Sequence, residues 1–124
     1  MKEISEEHQK RRTNLTIADL RWLEKVEEKI LAQISNGQFK LRDLAQDLYL
    51  STRRLQQKIK QLTGQTPKAY QRQIKLQAAK KILESGQVQT VSELSYQLGY
   101  EDQHYFSCLY KKQFGITPKE ELSQ

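Results

Sequence analysis

The chain has 124 residues and a formal net charge of +6, which suits one compact unit or two small subdomains and points to a polyanionic partner or an acidic membrane surface. Its single cysteine, Cys108, excludes an intrachain disulfide framework and makes a reducing compartment, the cytoplasm, the expected setting. No apolar run approaches the ~18–20 residues of a membrane span, and the opening residues are polar rather than signal-like.

Residues 1–16 read as a flexible N-terminal arm or linker, polar up to about Asn14 and including His8. The first helix is predicted over about Ile17–Ser35. Thr16 with Asp19 forms its opening cap, and Asn36-Gly37 its stop. Leu20, Leu23, Val26, Ile30, Leu31 and Ile34 recur at helical spacing and predict a core-facing stripe. Trp22 lies off it, either covering the domain edge or meeting a partner domain. A short second helix, about Leu41–Leu48, turns Leu41, Leu44, Ala45 and Leu48 inward. Ser51 caps a third, which runs to Thr63 and stops at Gly64. Leu55, Ile59 and Leu62 anchor it. Pro67 starts a fourth helix reaching about Leu83, closed by Ser85-Gly86.

Thr90-Val-Ser-Glu93 is a capping box for a fifth helix over Val91–Leu98, with Val91, Leu94, Ser95 and Leu98 inward. Gly99 suits a turn. Asp102 then caps a sixth helix over about Gln103–Phe114, in which Phe106, Leu109 and Tyr110 should be buried. Tyr70, Tyr100, Tyr105 and Phe114 are also expected in the core. Gly115 and Pro118 repeat the punctuation of Gly64 and Pro67. No period-two pattern persists, so the expected fold is all-α.

The chain repeats itself. Leu41–Leu48 matches Val91–Leu98 at an offset of 50 residues, and Leu55–Pro67 matches Phe106–Pro118 at 51. The second copy therefore carries one extra turn residue. A duplicated unit of short helix, tight turn and basic helix is what presents two helices to two segments of DNA groove. Helix-turn-helix geometry wants a small residue where the second helix crosses the first, and Ala45 and Ser95 stand there. Both second helices open with polar residues: Thr52, Arg53, Gln56 and Gln57 in one, Gln103, His104 and Ser107 in the other. Between Asp47 and Glu84 no acidic residue interrupts Arg53, Arg54, Lys58, Lys60, Lys68, Arg72, Lys75, Lys80 and Lys81, whereas an ordinary surface intersperses both signs.

These residues resemble a known family. Leu94…Leu98-Gly99-Tyr100…Asp102…Tyr105-Phe106-Ser107…Lys111-Lys112…Phe114-Gly115…Thr117-Pro118 looks like the signature of the AraC/XylS transcription regulators. Leu44-Ala45…Leu50-Ser51…Leu55…Lys60…Thr63-Gly64…Thr66-Pro67…Tyr70 matches that family's first unit. The resemblance spans about Leu20–Pro118. It implies two helix-turn-helix subdomains of about three helices each, residues 17–66 and 87–124, joined by a long linker helix in residues 67–86. The recognition helices, about 52–63 and 103–114, would each enter an adjacent major groove of double-stranded DNA.

Carried over by position, base reading would fall to Arg53, Gln56 and Gln57, and to Gln103, His104, Ser107 and Cys108. Arg pairs bidentately with guanine and Gln with adenine, at about 1–3 kcal/mol of discrimination each. Phosphate contact would fall to Ser51, Thr52, Lys60, Thr90 and Lys111. The family commonly has Arg where Cys108 stands, Arg where Lys75 stands, and Ser or Thr where Lys40 stands. It has Tyr-Arg where Glu121-Leu122 stand, so the last short helix is expected to dock less firmly. The resemblance further implies RNA polymerase as a partner, and either a sensory or dimerisation domain in a longer protein, including the output position of a two-component system, or a stand-alone regulator controlled by its abundance.

No cofactor is expected. Two histidines and one cysteine, scattered, make no metal site, and neither a phosphate-binding loop nor a nucleophile elbow occurs, so an enzyme is not expected. The alternative is a basic helical interaction module docking an acidic protein.

Overall fold

The computed structural model describes residues 15–124; the polar opening, with His8, lies outside the described residues. Among the described residues there are seven helices and no strand: α1 (Ile17–Ala32), α2 (Leu41–Asp47), α3 (Thr52–Thr63), α4 (Pro67–Ser85), α5 (Val91–Gln97), α6 (Gln103–Phe114) and α7 (Pro118–Leu122). No described helix is long and apolar enough to cross a membrane. The chain divides into two compact units. One holds the described residues up to Ala32 with Phe39–Arg72, and the other Gln33–Gln38 with Gln73–Gln124.

In the first unit, α1 begins at a reciprocal cap. Asp19 N donates to Thr16 Oγ1 at 3.0 Å and Thr16 N donates to Asp19 Oδ2 at 3.2 Å, so two otherwise orphaned donors are satisfied. Val26 and Ile30 of α1, Leu44 and Ala45 of α2, and Leu55, Ile59 and Leu62 of α3 are buried. The predicted α1 stripe is narrower than expected, because Leu20 and Leu31 are 46% and 40% exposed. At about 100° per residue both fall roughly a quarter turn from the line through Val26 and Ile30. The helix also ends at Ala32 rather than Ser35. Ile34, past that end, packs against the core of the other unit, to which its segment belongs. Trp22 is half-buried with Lys58 Nζ 4.4 Å from its ring centroid, a cation–π contact within this unit.

The second unit packs Leu76, Ala79, Leu83, Val88, Val91, Leu94, Leu98, Phe106 and Tyr110 into one core. Its rings run in a chain, Tyr100 to Phe106 at 5.2 Å, Phe106 to Tyr110 at 6.1 Å and Tyr110 to Phe114 at 4.6 Å between centroids. Tyr105 is not part of that core. It is 49% exposed, and its ring meets that of Tyr100 edge-on with centroids 6.4 Å apart. The expectation of a loosely held last helix is also overturned. Pro118 is fully buried, Leu122 lies against the core, and Glu121 accepts a hydrogen bond from Tyr110 Oη at 2.7 Å.

The two copies reuse the same turn. Leu50 N donates to Ala45 O at 2.9 Å, and Tyr100 N to Ser95 O at 3.0 Å. Each turn needs one left-handed residue, Gly99 at φ 77° in the second copy and Tyr49 at φ 58° in the first. The strain at Tyr49 is retained although its side chain is 95% exposed and contributes no packing. Tyr49→Gly is therefore expected to stabilise the protein by about 0.5–1 kcal/mol, the relieved left-handed penalty less the added chain entropy. Urea unfolding checks this: the midpoint should rise with an unchanged slope.

Candidate nucleic-acid interface

Both second helices are held at each end by local chemistry. Ser51 Oγ accepts from Arg54 N at 3.1 Å, and Asp102 Oδ1 accepts from Tyr105 N at 3.1 Å. At the far ends Gly64 N donates to Lys60 O at 2.9 Å and Gly115 N to Lys111 O at 2.7 Å. The preceding helices are capped unequally. Thr90 Oγ1 accepts from Glu93 N at 3.1 Å ahead of α5. Ahead of α2, Lys40 has no acceptor to offer, and only the return bond forms, Lys40 N to Asp43 Oδ2 at 2.8 Å.

With Leu55, Ile59 and Leu62 turned inward, Arg53, Gln56, Gln57 and Lys60 lie at spacings of three, four and seven residues on the opposite, exposed face of α3. The second copy reproduces that face position by position. His104, Ser107, Cys108 and Lys111 stand 51 residues further on, with Phe106 and Tyr110 inward. All eight are solvent-exposed except Ser107, which is half-buried. Each unit therefore offers one polar stripe of four side chains, three neutral or cationic groups followed by a lysine. The predicted base readers other than Gln103, with Lys60 and Lys111, fall on one helix face in each copy, whereas Ser51 and Thr90 stand at the caps ahead of α3 and α5. Gln103 stands apart from its copy's stripe, at the first position of α6, as exposed Thr52 does in α3.

Within the stripes, some groups already have partners. Lys60 Nζ donates to Gly64 O at 3.2 Å, which leaves its charge exposed just beyond the C-terminal turn. His104 Nε2 and Cys108 Sγ approach to 3.6 Å, a local contact along one helix face. The hydroxyls of Ser51 and Thr90 accept backbone bonds as caps, yet each retains a proton to donate. Lys58 and Lys75 are drawn into their own units instead. Lys75 lies 5.3 Å from the Tyr100 ring centroid, and burial lowers its amine below the usual lysine range.

One exposed residue beside this stripe, about 100° around α6 from His104, was misplaced by sequence reasoning. Tyr105, in the first turn of α6, was expected in the core because it is aromatic, and it is half exposed. The repeat carried the signal: the residue 51 positions earlier is Arg54, which is also exposed.

Two short helices joined by a left-handed turn, occurring twice, with a polar stripe on the second helix each time, define a helix-turn-helix protein. The comparisons agree. A family model described as a helix-turn-helix domain matches residues 44–124, and the chain belongs to that family, in its AraC/XylS type. It is 32% identical over 102 residues, 82% of its length, to histidine kinase P4 of Formosa agariphila. It is 31% identical over 77 residues, 62% of its length, to the HTH-type transcriptional activator RhaS of Escherichia coli. The chain spans 7% and 27% of the lengths of these two relatives. Among solved structures it resembles the C-terminal domain of the two-component response regulator yesN from Fusobacterium nucleatum. That likeness has a TM-score of 0.71 and 29% identity, and it covers 82% of this chain and 98% of that one. The family and the fold are those of DNA-binding transcription regulators rather than enzymes.

Proposed function

We propose that the chain is a sequence-specific, double-stranded DNA-binding module of a transcription regulator, with α3 and α6 each entering a major groove. The carrying observation is the matched stripe of Arg53, Gln56, Gln57 and Lys60 on α3 and His104, Ser107, Cys108 and Lys111 on α6. Residues 17–66 and 87–124 are the two reading subdomains, and residues 67–86 join them. Arg53 and the glutamines read purine edges in one groove segment. Gln103, His104, Ser107 and Cys108 face bases in the other, Cys108 as a small apolar contact where an arginine would reach further. Tyr105 adds a ring at the edge of that second surface. Lys60 and Lys111, with the hydroxyls of Ser51, Thr52 and Thr90, hold phosphates and set register.

Backbone neutralisation supplies much of the affinity, so binding is steeply salt-dependent. RNA polymerase is the downstream partner, and the cytoplasm the setting. The identity with a histidine kinase, and the fold shared with a response-regulator domain, support a place at the output end of a signalling protein that carries its sensory or dimerising parts elsewhere.

The alternative, a basic module docking an acidic protein, is separated by competition. Both would be retained on heparin. A duplex bearing the target sequence is expected to displace the protein from heparin at concentrations where a scrambled duplex of equal length does not. Equal displacement by both would mean that only charge is recognised.

A further inference from the structure

The short helix α7 does more than close the core. Glu121 Oε1 accepts from Tyr110 Oη at 2.7 Å and pairs with Lys80 Nζ at 3.4 Å. One carboxylate oxygen thus ties α6 (Tyr110) and α4 (Lys80) to α7. The Glu121 side chain is only 12% exposed, Tyr110 is fully buried, and Glu121 Oε2 is buried with no hydrogen-bond partner. Lys80 is held on two further sides, by Glu84 at 3.7 Å and by the Phe114 ring at 4.9 Å. A buried carboxylate with an oxygen left unsatisfied is a poor way to gain stability alone, because an apolar side chain of similar size usually does as well or better. Its specific contribution is geometric: a charge-assisted hydrogen bond fixes donor and acceptor in one arrangement.

We propose that Glu121 is a positioning residue for α6. Through Tyr110 it fixes the rotation and depth of the helix whose exposed stripe carries His104, Ser107, Cys108 and Lys111. Tyr110 stands six residues beyond His104, about 9 Å along the axis, so a small change of tilt at the anchor displaces the reading end. The buried, carboxylate-bound Tyr110 hydroxyl has its ionisation pushed far above the usual tyrosine range, chiefly by burial and then by the bond to Glu121; the phenol remains the donor. The inference rests on α6 reading bases, and its effect belongs to the half-site that α6 faces.

The test uses the full chain and two duplexes, one with both half-sites selected from a randomised pool and one with the α6 half scrambled. Affinities are measured well below each variant's Tm. Glu121→Leu is expected to lose roughly tenfold on the intact duplex, the effect of about one charged hydrogen bond, and nothing on the scrambled one. Tyr110→Phe should act in the same direction. The double variant should lose no more than Glu121→Leu alone, the signature of a coupled pair. Glu121→Gln, which keeps an acceptor for Tyr110, should restore most of the binding.

A lower Tm with an unchanged ratio between the two duplexes would overturn the proposal, because Glu121 would then be a brace without a positioning role. Equal loss on both duplexes would overturn it too. If the unaltered protein fails to distinguish the duplexes, α6 reads no bases, and the proposed function of that helix falls together with this inference.

Discussion

Replacing Gly99 by alanine is expected to be among the most damaging small substitutions in the second unit. Gly99 sits at φ 77°, and a Cβ there would stand 2.9 Å from Ile34 O and 3.2 Å from Gly37 N. The contact is reciprocal, since a Cβ on Gly37 would stand 2.9 Å from Gly99 O. Two backbones meet without side chains between them, and neither is a flexible tip that could swing away. The left-handed penalty of about 1–2 kcal/mol therefore adds to an overpacking cost of about 1–3 kcal/mol. Gly115→Ala is the control. It pays a similar backbone cost at φ 86°, but nothing lies within 4 Å of its Cβ. Thermal unfolding should show Gly99→Ala losing on the order of 10 °C or more, and Gly115→Ala roughly half of that or less. Equal losses would mean that the close approach of Gly37 and Gly99 contributes nothing.

The second large effect concerns specificity. Arg53→Ala is expected to cost about 1–3 kcal/mol on the preferred sequence, roughly five- to 150-fold in affinity, and to relax base preference in one half of the site. Lys60→Ala should instead weaken all duplexes by a similar factor and reduce the salt slope by about one unit. Titration of both variants against preferred and scrambled duplexes at several salt concentrations reads the two effects separately. Uniform loss in both variants would dissolve the distinction between reading and positioning along α3.

Most helix boundaries were legible because the signals are local. Thr16 with Asp19, Ser51, Thr90 and Asp102 each accept the backbone bonds that their positions predict, and the polar stripe of α3 follows from its spacing. The misreadings came from long-range geometry. Tyr105 and Tyr110 are both tyrosines of α6, and composition cannot say that one is half exposed while the other is buried. Glu121 looked like the loss of an anchoring aromatic, and only the folded chain brings it to Tyr110, 11 residues earlier, and to Lys80 on another helix. Tyr49 hid a left-handed turn because the residue most suited to that φ stands only in the second copy, as Gly99. The exposure of Leu20 and Leu31 was a matter of angle: both are apolar at near-helical spacing, yet neither lies on the line that packs.

The most direct test of the central claim is selection of bound duplexes from a randomised library at near-physiological salt, followed by sequencing. Two motifs about one helical turn apart, roughly 10 bp, are predicted, one lost with Arg53→Ala and the other with Ser107→Ala. A bound pool as random as its input would contradict the account, leaving the matched stripes of α3 and α6 as charged surfaces that read no sequence.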